Sequence, residues 1–132
     1  MMRVKTKVGI STVDGLGLFA DQLIPKGEIT WQYDPEFDTA FTQEQIDELS
    51  EISRNYFRYY TYYDEKTKKY VLCCDNQRFI NHSLKRLNIN STPNRDIAAR
   101  DIHPGEEMLC DYTKFDKSYF EKMGLEQKDL KD

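Results

Sequence analysis

The sequence lacks any apolar run approaching the roughly 20 residues that a membrane-spanning helix needs, so it does not predict a membrane protein. It also lacks an excess of basic residues, because 19 lysines and arginines stand against 23 acids and the net charge is −4. This balance disfavours a direct nucleic-acid binder, which carries a clustered basic surface. The only two histidines show no ligand spacing. A metal hydrolase is therefore disfavoured, and no metal site is predicted.

Cysteine is scarce, with three residues at positions 73, 74 and 110. An odd number, two of them adjacent, makes a poor disulfide framework. The N-terminus also lacks the apolar core of a signal peptide. We therefore expect reduced thiols in an intracellular protein, in the cytoplasm or at the nucleoid, with delivery into a host nucleus left open. We expect Cys73 and Cys74 to be one buried and one partly exposed small residue.

The 132 residues are enough for a single domain with one hydrophobic core, spanning 1–132. Short strand-like segments dominate, and residues 84–95 read as a polar loop between them. Two turns, Ile24-Pro25-Lys26-Gly27 and Ile102-His103-Pro104-Gly105, resemble each other and predict two similar hairpins. The predicted strands are residues 3–8, 59–64, 69–74, 97–102 and 108–112.

One helix is predicted over residues 42–58, within an inserted helical segment at about 40–58. Thr42 and Gln45 have the spacing of a capping box, and apolar residues follow at helical intervals. Seven acids and no base occupy residues 34–51. They predict either a solvated helix face or a surface that attracts a basic protein.

Three separated polar motifs, each weak alone, occur in a defined order. The first is Gly15-Leu16-Gly17, where two glycines allow a tight turn and a close approach to the backbone. The second is Arg78-Phe79-Ile80-Asn81-His82-Ser83, followed by Pro93-Asn94. The third is Gly105-Glu106-Glu107, which leads to Asp111-Tyr112.

Together these motifs resemble the SET-domain lysine methyltransferases, in particular their short stand-alone members from bacteria and large viruses. The resemblance extends over a core of about residues 3–116 and leaves a short C-terminal extension, 113–132. It implies a mainly β (β-rich α+β) fold of small twisted sheets, with a short inserted helix and a C-terminal pseudoknot. That topology would bring residues near 81 and 112 together.

The resemblance implies S-adenosylmethionine as cofactor and a lysine side chain as methyl acceptor. Backbone groups of Gly15, Leu16 and Gly17 would contact the cofactor, where a side chain on either glycine would intrude. Asn81 and His82 would bind its methionyl and adenine parts. His82 is not assigned as a general base.

Further site residues follow from the same resemblance. Arg78 would lie beside the cofactor, and Tyr112 would be catalytic where the cofactor meets the lysine channel. A second catalytic tyrosine would be Tyr60 or Tyr62, and the sequence does not decide between them. Such a channel would strip water from the lysine ammonium and lower its pKa.

The sequence departs from the family pattern in three places. Asn-His-Ser-Cys-x-Pro-Asn is interrupted by Leu84 to Asn90. Flanking zinc clusters are absent, so the last part of the channel must come from residues 113–125, with Phe115 as a channel residue and Tyr119 and Phe120 as further candidates. Packing in the core is the equally open alternative for all three. Cys110 stands two residues before Tyr112, where Phe or Tyr is common, and implies a channel with room for di- or trimethylation.

The resemblance thus predicts a protein-lysine N-methyltransferase acting on a lysine-containing basic protein or peptide, histone-like or other. The alternative is a non-catalytic SET-like module that binds a basic protein partner. A homodimer that completes the channel is a further possibility.

Overall fold

The computed structural model describes residues 1–124, and short strands make up most of its regular secondary structure. This confirms the mainly β class. The strands are β1 (Thr6–Ile10), β2 (Leu16–Ala20), β3 (Ile29–Gln32), β4 (Thr39–Phe41), β5 (Thr61–Asp64), β6 (Lys69–Leu72), β7 (Asn81–His82), β8 (Ile89–Ser91), β9 (Arg95–Ala98) and β10 (Leu109–Cys110). The helices are α1 (Gln43–Asp47), α2 (Glu51–Tyr60) and α3 (Tyr119–Lys122), with 3-10 turns at Asn76–Phe79 and Tyr112–Lys114.

The strands form four small sheets around one core. β1 pairs with β2, β9 lies between β3 and β8, and β6 lies between β4 and β5, all antiparallel. Strands β2, β8, β9 and β10 supply buried apolar residues to a common cluster. Its fully buried members include Leu18, Ile24, Ile102, Met108 and Cys110.

The fourth sheet joins distant parts of the chain. β7 and β10 run parallel, with Asn81 opposite Leu109 and His82 opposite Cys110. Parallel strands need a crossover, and here β8 and β9 provide it. The predicted convergence of residues near 81 and 112 is confirmed, because Tyr112 follows β10 directly.

The inserted helical segment differs from its prediction. The capping box at Thr42 is confirmed, because its hydroxyl accepts from the N–H of Gln45 at 3.2 Å. The single helix 42–58 was wrong: Ser50 caps a second helix, and its hydroxyl accepts from the N–H of Ser53. α2 then runs to Tyr60, so the predicted strand 59–64 begins at Thr61. None of the helices in residues 1–124 is long and apolar enough to cross a membrane.

The two similar turns are present, but the predicted hairpins are wrong, because the segments that flank each turn pair with other parts of the chain. Glycine lies one position earlier in each turn than expected. The N–H of Glu28 donates to the carbonyl of Pro25, which makes Gly27 the third residue. Gly27 has φ +89, and Gly105 occupies the same place in the second turn with the same φ. A positive φ at the third position is what a type II turn requires. The two segments also pair with each other, through Ile24 and Ile102.

The predicted loop 84–95 contains a strand. β8 pairs with β9 through Ile89 opposite Ala98, and only residues 92–94 remain as the turn between them. Just before β8, the side chain of Asn88 is fully buried beside β10. Its amide donates to the carbonyl of Glu107 and its oxygen accepts from the N–H of Leu109, at 2.8 and 2.9 Å. Pro93-Asn94 is therefore a hairpin turn, while Asn88 lies next to β10.

Candidate active site

A cavity lies between α2, β5, the 3-10 turn after β10 and the edge of β9. We call it the aromatic cavity, because half of the residues in its wall are aromatic. The space within it, including its open mouth, is about 510 Å³. The aromatic residues of its wall are Trp31, Tyr59, Tyr60, Tyr62, Tyr112, Phe115 and Tyr119.

Tyr112 joins the aromatic cavity to the β7–β10 pair. Its N–H donates to His82 Nδ1 at 3.0 Å, and its hydroxyl donates to the carbonyl of Ile80 at 2.5 Å. The ring packs edge-on against Tyr119 and Phe115, with centroids 4.5 and 5.6 Å away. Burial raises the pKa of Tyr112 well above its ordinary value. The phenol is therefore neutral and its hydroxyl has a fixed direction.

Both candidates for the second tyrosine line the aromatic cavity. Tyr62 comes from β5, and its hydroxyl donates to the carbonyl of Pro93 at 2.7 Å. Tyr60 comes from the last position of α2, where its ring packs against Phe79 at 5.6 Å. Within the described residues, the Tyr60 hydroxyl makes no hydrogen bond, so it is available to a ligand.

Asn81 fixes the glycine turn that precedes β2. Its side-chain amide donates to the carbonyls of Asp14 and Leu16, both at 2.9 Å. Gly15, between these carbonyls, has φ +49, which a residue with a side chain adopts only with strain. The structure thus brings together the first two predicted motifs, with Asn81 acting through its side chain on the backbone of the turn.

Gly17 is required by packing against Glu107. A Cβ atom at Gly17 would collide with Glu107 Oε1 and touch the Cβ atom of Ser11. The same Oε1 accepts a hydrogen bond from the Ser11 hydroxyl. The contact with Glu107 therefore favours glycine at position 17. The sequence had predicted glycine there for another reason, the close approach of a cofactor to the backbone.

His82 is buried between Tyr112 and the C-terminal segment. Its ring lies 5.3 Å from Phe120, edge to face, and its Nδ1 is 3.7 Å from the Asp111 carboxylate. Since Nδ1 accepts from the backbone N–H of Tyr112, His82 holds the chain after β10 in place. This geometry supports a positioning role.

Arg78 and Phe115 both line the aromatic cavity. Arg78 Nε donates to the carbonyl of Cys73 at 3.1 Å, and its guanidinium donates to the hydroxyl of Tyr56 at 2.6 Å. Phe115 packs against Tyr62, with centroids 5.5 Å apart. Its position agrees with the predicted wall contributed from beyond residue 112.

Cys110 was predicted in the channel, but it lies in the core. Its side chain is fully buried on β10, and it is not among the residues that line the cavity. Burial raises the pKa of its thiol well above the ordinary value, so the thiol is neutral. The expectation of room for di- or trimethylation loses its basis. Cys73 is buried and Cys74 is exposed, as expected.

One end of the aromatic cavity is close to the glycine turn. The Tyr59 hydroxyl donates to the Asp14 carboxylate at 2.5 Å. Burial and the same carboxylate raise the pKa of Tyr119 to about 12. A carboxylate flanked by two aromatic rings is a chemically suitable place for a sulfonium cation, which such rings attract. The residues at this end therefore fit S-adenosylmethionine.

The wall of the aromatic cavity also carries a buried acid, which the sequence did not reveal. Asp96, on β9 opposite Trp31, is 2% exposed. Gln77 Nε2 donates to its Oδ2 at 2.5 Å. Burial raises the pKa of Asp96 to about 6, opposed by nearby Ser91 and by Gln77. Ser91 Oγ lies close to the acid without reaching hydrogen-bond geometry.

Comparison with solved structures identifies similar folds. A chain of the humanized mutant Chaetomium thermophilum Polycomb Repressive Complex 2, bound to the inhibitor GSK126, is 26% identical with TM-score 0.59. The match covers 85% of this chain and 15% of that chain. A Plasmodium falciparum protein described as a candidate histone methyltransferase is 25% identical with TM-score 0.58, covering 84% of this chain and 95% of that one. CpSET8 from Cryptosporidium is 26% identical with TM-score 0.56, and the match covers 83% of this chain and 58% of that one.

A search of curated proteins gives no significant match. The sequence profile of the SET domain, in contrast, matches residues 15–113, which is more than half of the chain. This range begins at the glycine turn and ends just beyond Tyr112, so it contains every motif that meets at the β7–β10 pair. The chain belongs to the SET-domain family.

Proposed function

We propose that this protein is an S-adenosylmethionine-dependent protein-lysine N-methyltransferase. The observation that carries the proposal is the position of Tyr112, between the Asn81-supported glycine turn and the aromatic cavity. A methyl donor on one side and a lysine on the other would meet at this residue. Family membership supports the same reaction class.

S-adenosylmethionine, when bound, supplies a methyl group on a positively charged sulfur. In this chain the glycine turn, Asn81 and His82 would hold it, and Phe120 would cover it beside His82. Asp14 with Tyr59 and Tyr119 would balance its positive charge. A neighbouring fold, the Chaetomium thermophilum complex in its autoinhibited conformation, is described as bound to S-adenosylmethionine.

The aromatic cavity would receive the lysine side chain. Its neutral rings exclude water, and burial favours the uncharged amine that must attack the methyl group. The hydroxyl of Tyr60 can direct that amine, while Tyr62 and Phe115 fix its alkyl stem. Holding two reactants in line contributes on the order of 7–11 kcal/mol, so positioning can supply much of the catalysis.

The acidic surface on the inserted segment supports a basic protein substrate, histone-like or other. Of the seven acids in residues 34–51, Asp38 is buried and structural, accepting from the N–H of Cys74. The other six are partly or fully exposed. Opposite charges speed encounter with a lysine-rich segment. The Plasmodium protein's description as a candidate histone methyltransferase points the same way.

The test is methyl transfer from labelled S-adenosylmethionine to a panel of basic proteins. We expect wild type to produce methyl-lysine and Tyr112→Phe to lose at least tenfold in rate, because the fixed hydroxyl is gone. Tyr63→Phe is the matched control, since Tyr63 stacks on Tyr70 outside the aromatic cavity. Equal loss in both variants would contradict a specific role for Tyr112.

Calorimetry with S-adenosylmethionine distinguishes an enzyme from a binding module. Binding to wild type with low micromolar or better affinity supports the enzyme, because a methyl donor has no role in a passive module. No binding, together with no transfer to any protein of the panel, would favour a non-catalytic module for a basic partner.

A further inference from the structure

The surroundings of Asp96 offer little that would stabilise its carboxylate in the charged form. It has one hydrogen bond to its carboxylate, from Gln77, and an Asn side chain could accept that bond equally well. Within residues 1–124, it forms no ion pair. A buried carboxylate without a cation is unfavourable. We therefore expect the charge of Asp96 to contribute to ligand binding rather than to the stability of the fold.

The wall around Asp96 contains two further polar atoms without partners. Trp31 Nε1 and Gln77 Oε1 are buried and make no hydrogen bond within the described residues. Both residues line the aromatic cavity together with Asp96. Buried polar groups are nearly always satisfied, and such exceptions mark places where a polar group binds.

The chemistry of the wall around Asp96 suits an alkylammonium ion. The carboxylate and Gln77 Oε1 are acceptors, and an ammonium has three donors to give them. The ring of Trp31 adds the face that attracts a cation. Tyr62 and Phe115 line the same cavity and match an alkyl stem.

We propose that Asp96 binds the ammonium group of the substrate lysine in the aromatic cavity and accepts its proton before methyl transfer. This inference rests on the proposed function. An N–H bond of the ammonium breaks and an O–H bond forms on Asp96, which converts the ion pair into a neutral amine and a neutral carboxylic acid. The amine then takes the methyl group and its positive charge. Asp96 releases the proton to solvent when the product leaves.

Burial narrows the pKa difference against which the proton moves from the ammonium to Asp96. Burial disfavours the charged form of both groups, lowering the pKa of the lysine and raising that of the acid. Asp96 already shows the second effect, since burial brings its pKa to about 6. The other titratable groups of the wall are five tyrosines, the thiol of Cys73 and Arg78. Burial keeps the Cys73 thiol neutral, as it does the Cys110 thiol behind the wall, because it raises the pKa of both. The carbonyl of Cys73 and the hydroxyl of Tyr56 hold Arg78.

The first test measures binding without methyl transfer and uses n-butylammonium as the probe. Carboxyl-carbon NMR on the full chain follows the Asp96 titration with and without the probe. We expect the probe to lower the pKa of Asp96, and Asp96→Asn to bind it at least tenfold more weakly. Asp101→Asn, an exposed acid near the end of β9, should bind like wild type. Equal binding by wild type and Asp96→Asn, or none by wild type, would overturn the proposal.

The second test measures turnover. A group that accepts a proton typically contributes 10²- to 10⁴-fold, so Asp96→Asn should lower kcat by about 100-fold or more with unchanged S-adenosylmethionine affinity. In wild type kcat/KM should fall below about pH 6 as Asp96 of the free enzyme becomes protonated, and this decline should be missing in the variant. A variant with the wild-type rate and pH profile would refute the role. Failure of wild type to bind S-adenosylmethionine would instead refute the proposed function, because n-butylammonium binding is scored without the cofactor.

Discussion

Replacing Asp96 by Asn should stabilise the protein at neutral pH. Burial raises the pKa of Asp96 from 3.8 to about 6, so the folded state resists ionising this group. One pKa unit corresponds to about 1.36 kcal/mol, which gives a cost of about 3 kcal/mol in wild type at pH 7. Asn avoids this cost and still accepts the hydrogen bond from Gln77. For a chain of this length that corresponds to a rise in Tm of about 10 °C.

The sign of the pH dependence follows from the same shift. Because the folded-state pKa is raised, the folded protein binds the proton more tightly than the unfolded chain between pH 3.8 and about 6. The free-energy cost of ionising Asp96 in the folded state is therefore absent below pH 3.8 and reaches its full value above about pH 6. The stability difference between variant and wild type should grow over this window as the pH rises.

Urea unfolding at pH 4, 5, 6 and 7 measures this difference directly. Asp101→Asn is the control, and an exposed substitution should stay within about 0.5 kcal/mol of wild type at each pH. If Asp96→Asn proved less stable than wild type at pH 7, or if the difference did not vary with pH, the carboxylate would be satisfied in a way that the Gln77 contact does not account for.

Two further substitutions test the glycine turn. Asn81→Ala leaves the carbonyls of Asp14 and Leu16 without their donor. It should lower the free energy of unfolding in urea by about 1–3 kcal/mol and the affinity for S-adenosylmethionine, measured by calorimetry, at least tenfold. An unchanged affinity would show that the turn needs no support from Asn81. Gly17→Ala should cost about 1–3 kcal/mol through collision with Glu107, and a double-mutant cycle with Glu107→Ala should show that removing the carboxylate relieves the clash. Additive effects would contradict that contact.

The sequence predicted those parts of the fold that depend on local signals. Thr42 and Gln45 identified a helix start, and the Pro-Gly turns identified two chain reversals. The break between α1 and α2 was missed because the apolar spacing continues across Ser50, whose capping role depends on its hydroxyl meeting one N–H. β8 was missed because only Ile89 in it is apolar. The alternation of apolar Ile89 with polar Asn88 and Asn90 was the signal that could have indicated this strand.

The site was predicted where short motifs carried it, and missed where tertiary packing decided the position. Tyr60, Tyr62, Tyr112 and Phe115 share the aromatic cavity. Cys110 does not, because its side chain on β10 turns to the core, whereas Tyr112 lies beyond the strand in the 3-10 turn. Asp96 could not be found from the sequence, since its burial depends on strands β3 and β8 on either side.

The parallel pairing of β7 with β10 has a consequence for the order of folding. Closing the long loop between Asn81 and Leu109 carries an entropic cost that is recovered only when both strands meet. Contacts of such sequence separation slow folding, and they form after local helices and hairpins. A chain emerging from the ribosome can build the β1–β2 and β5–β6 hairpins early. It acquires Tyr112, and with it the junction between the two halves of the site, only when most of its length has been synthesised.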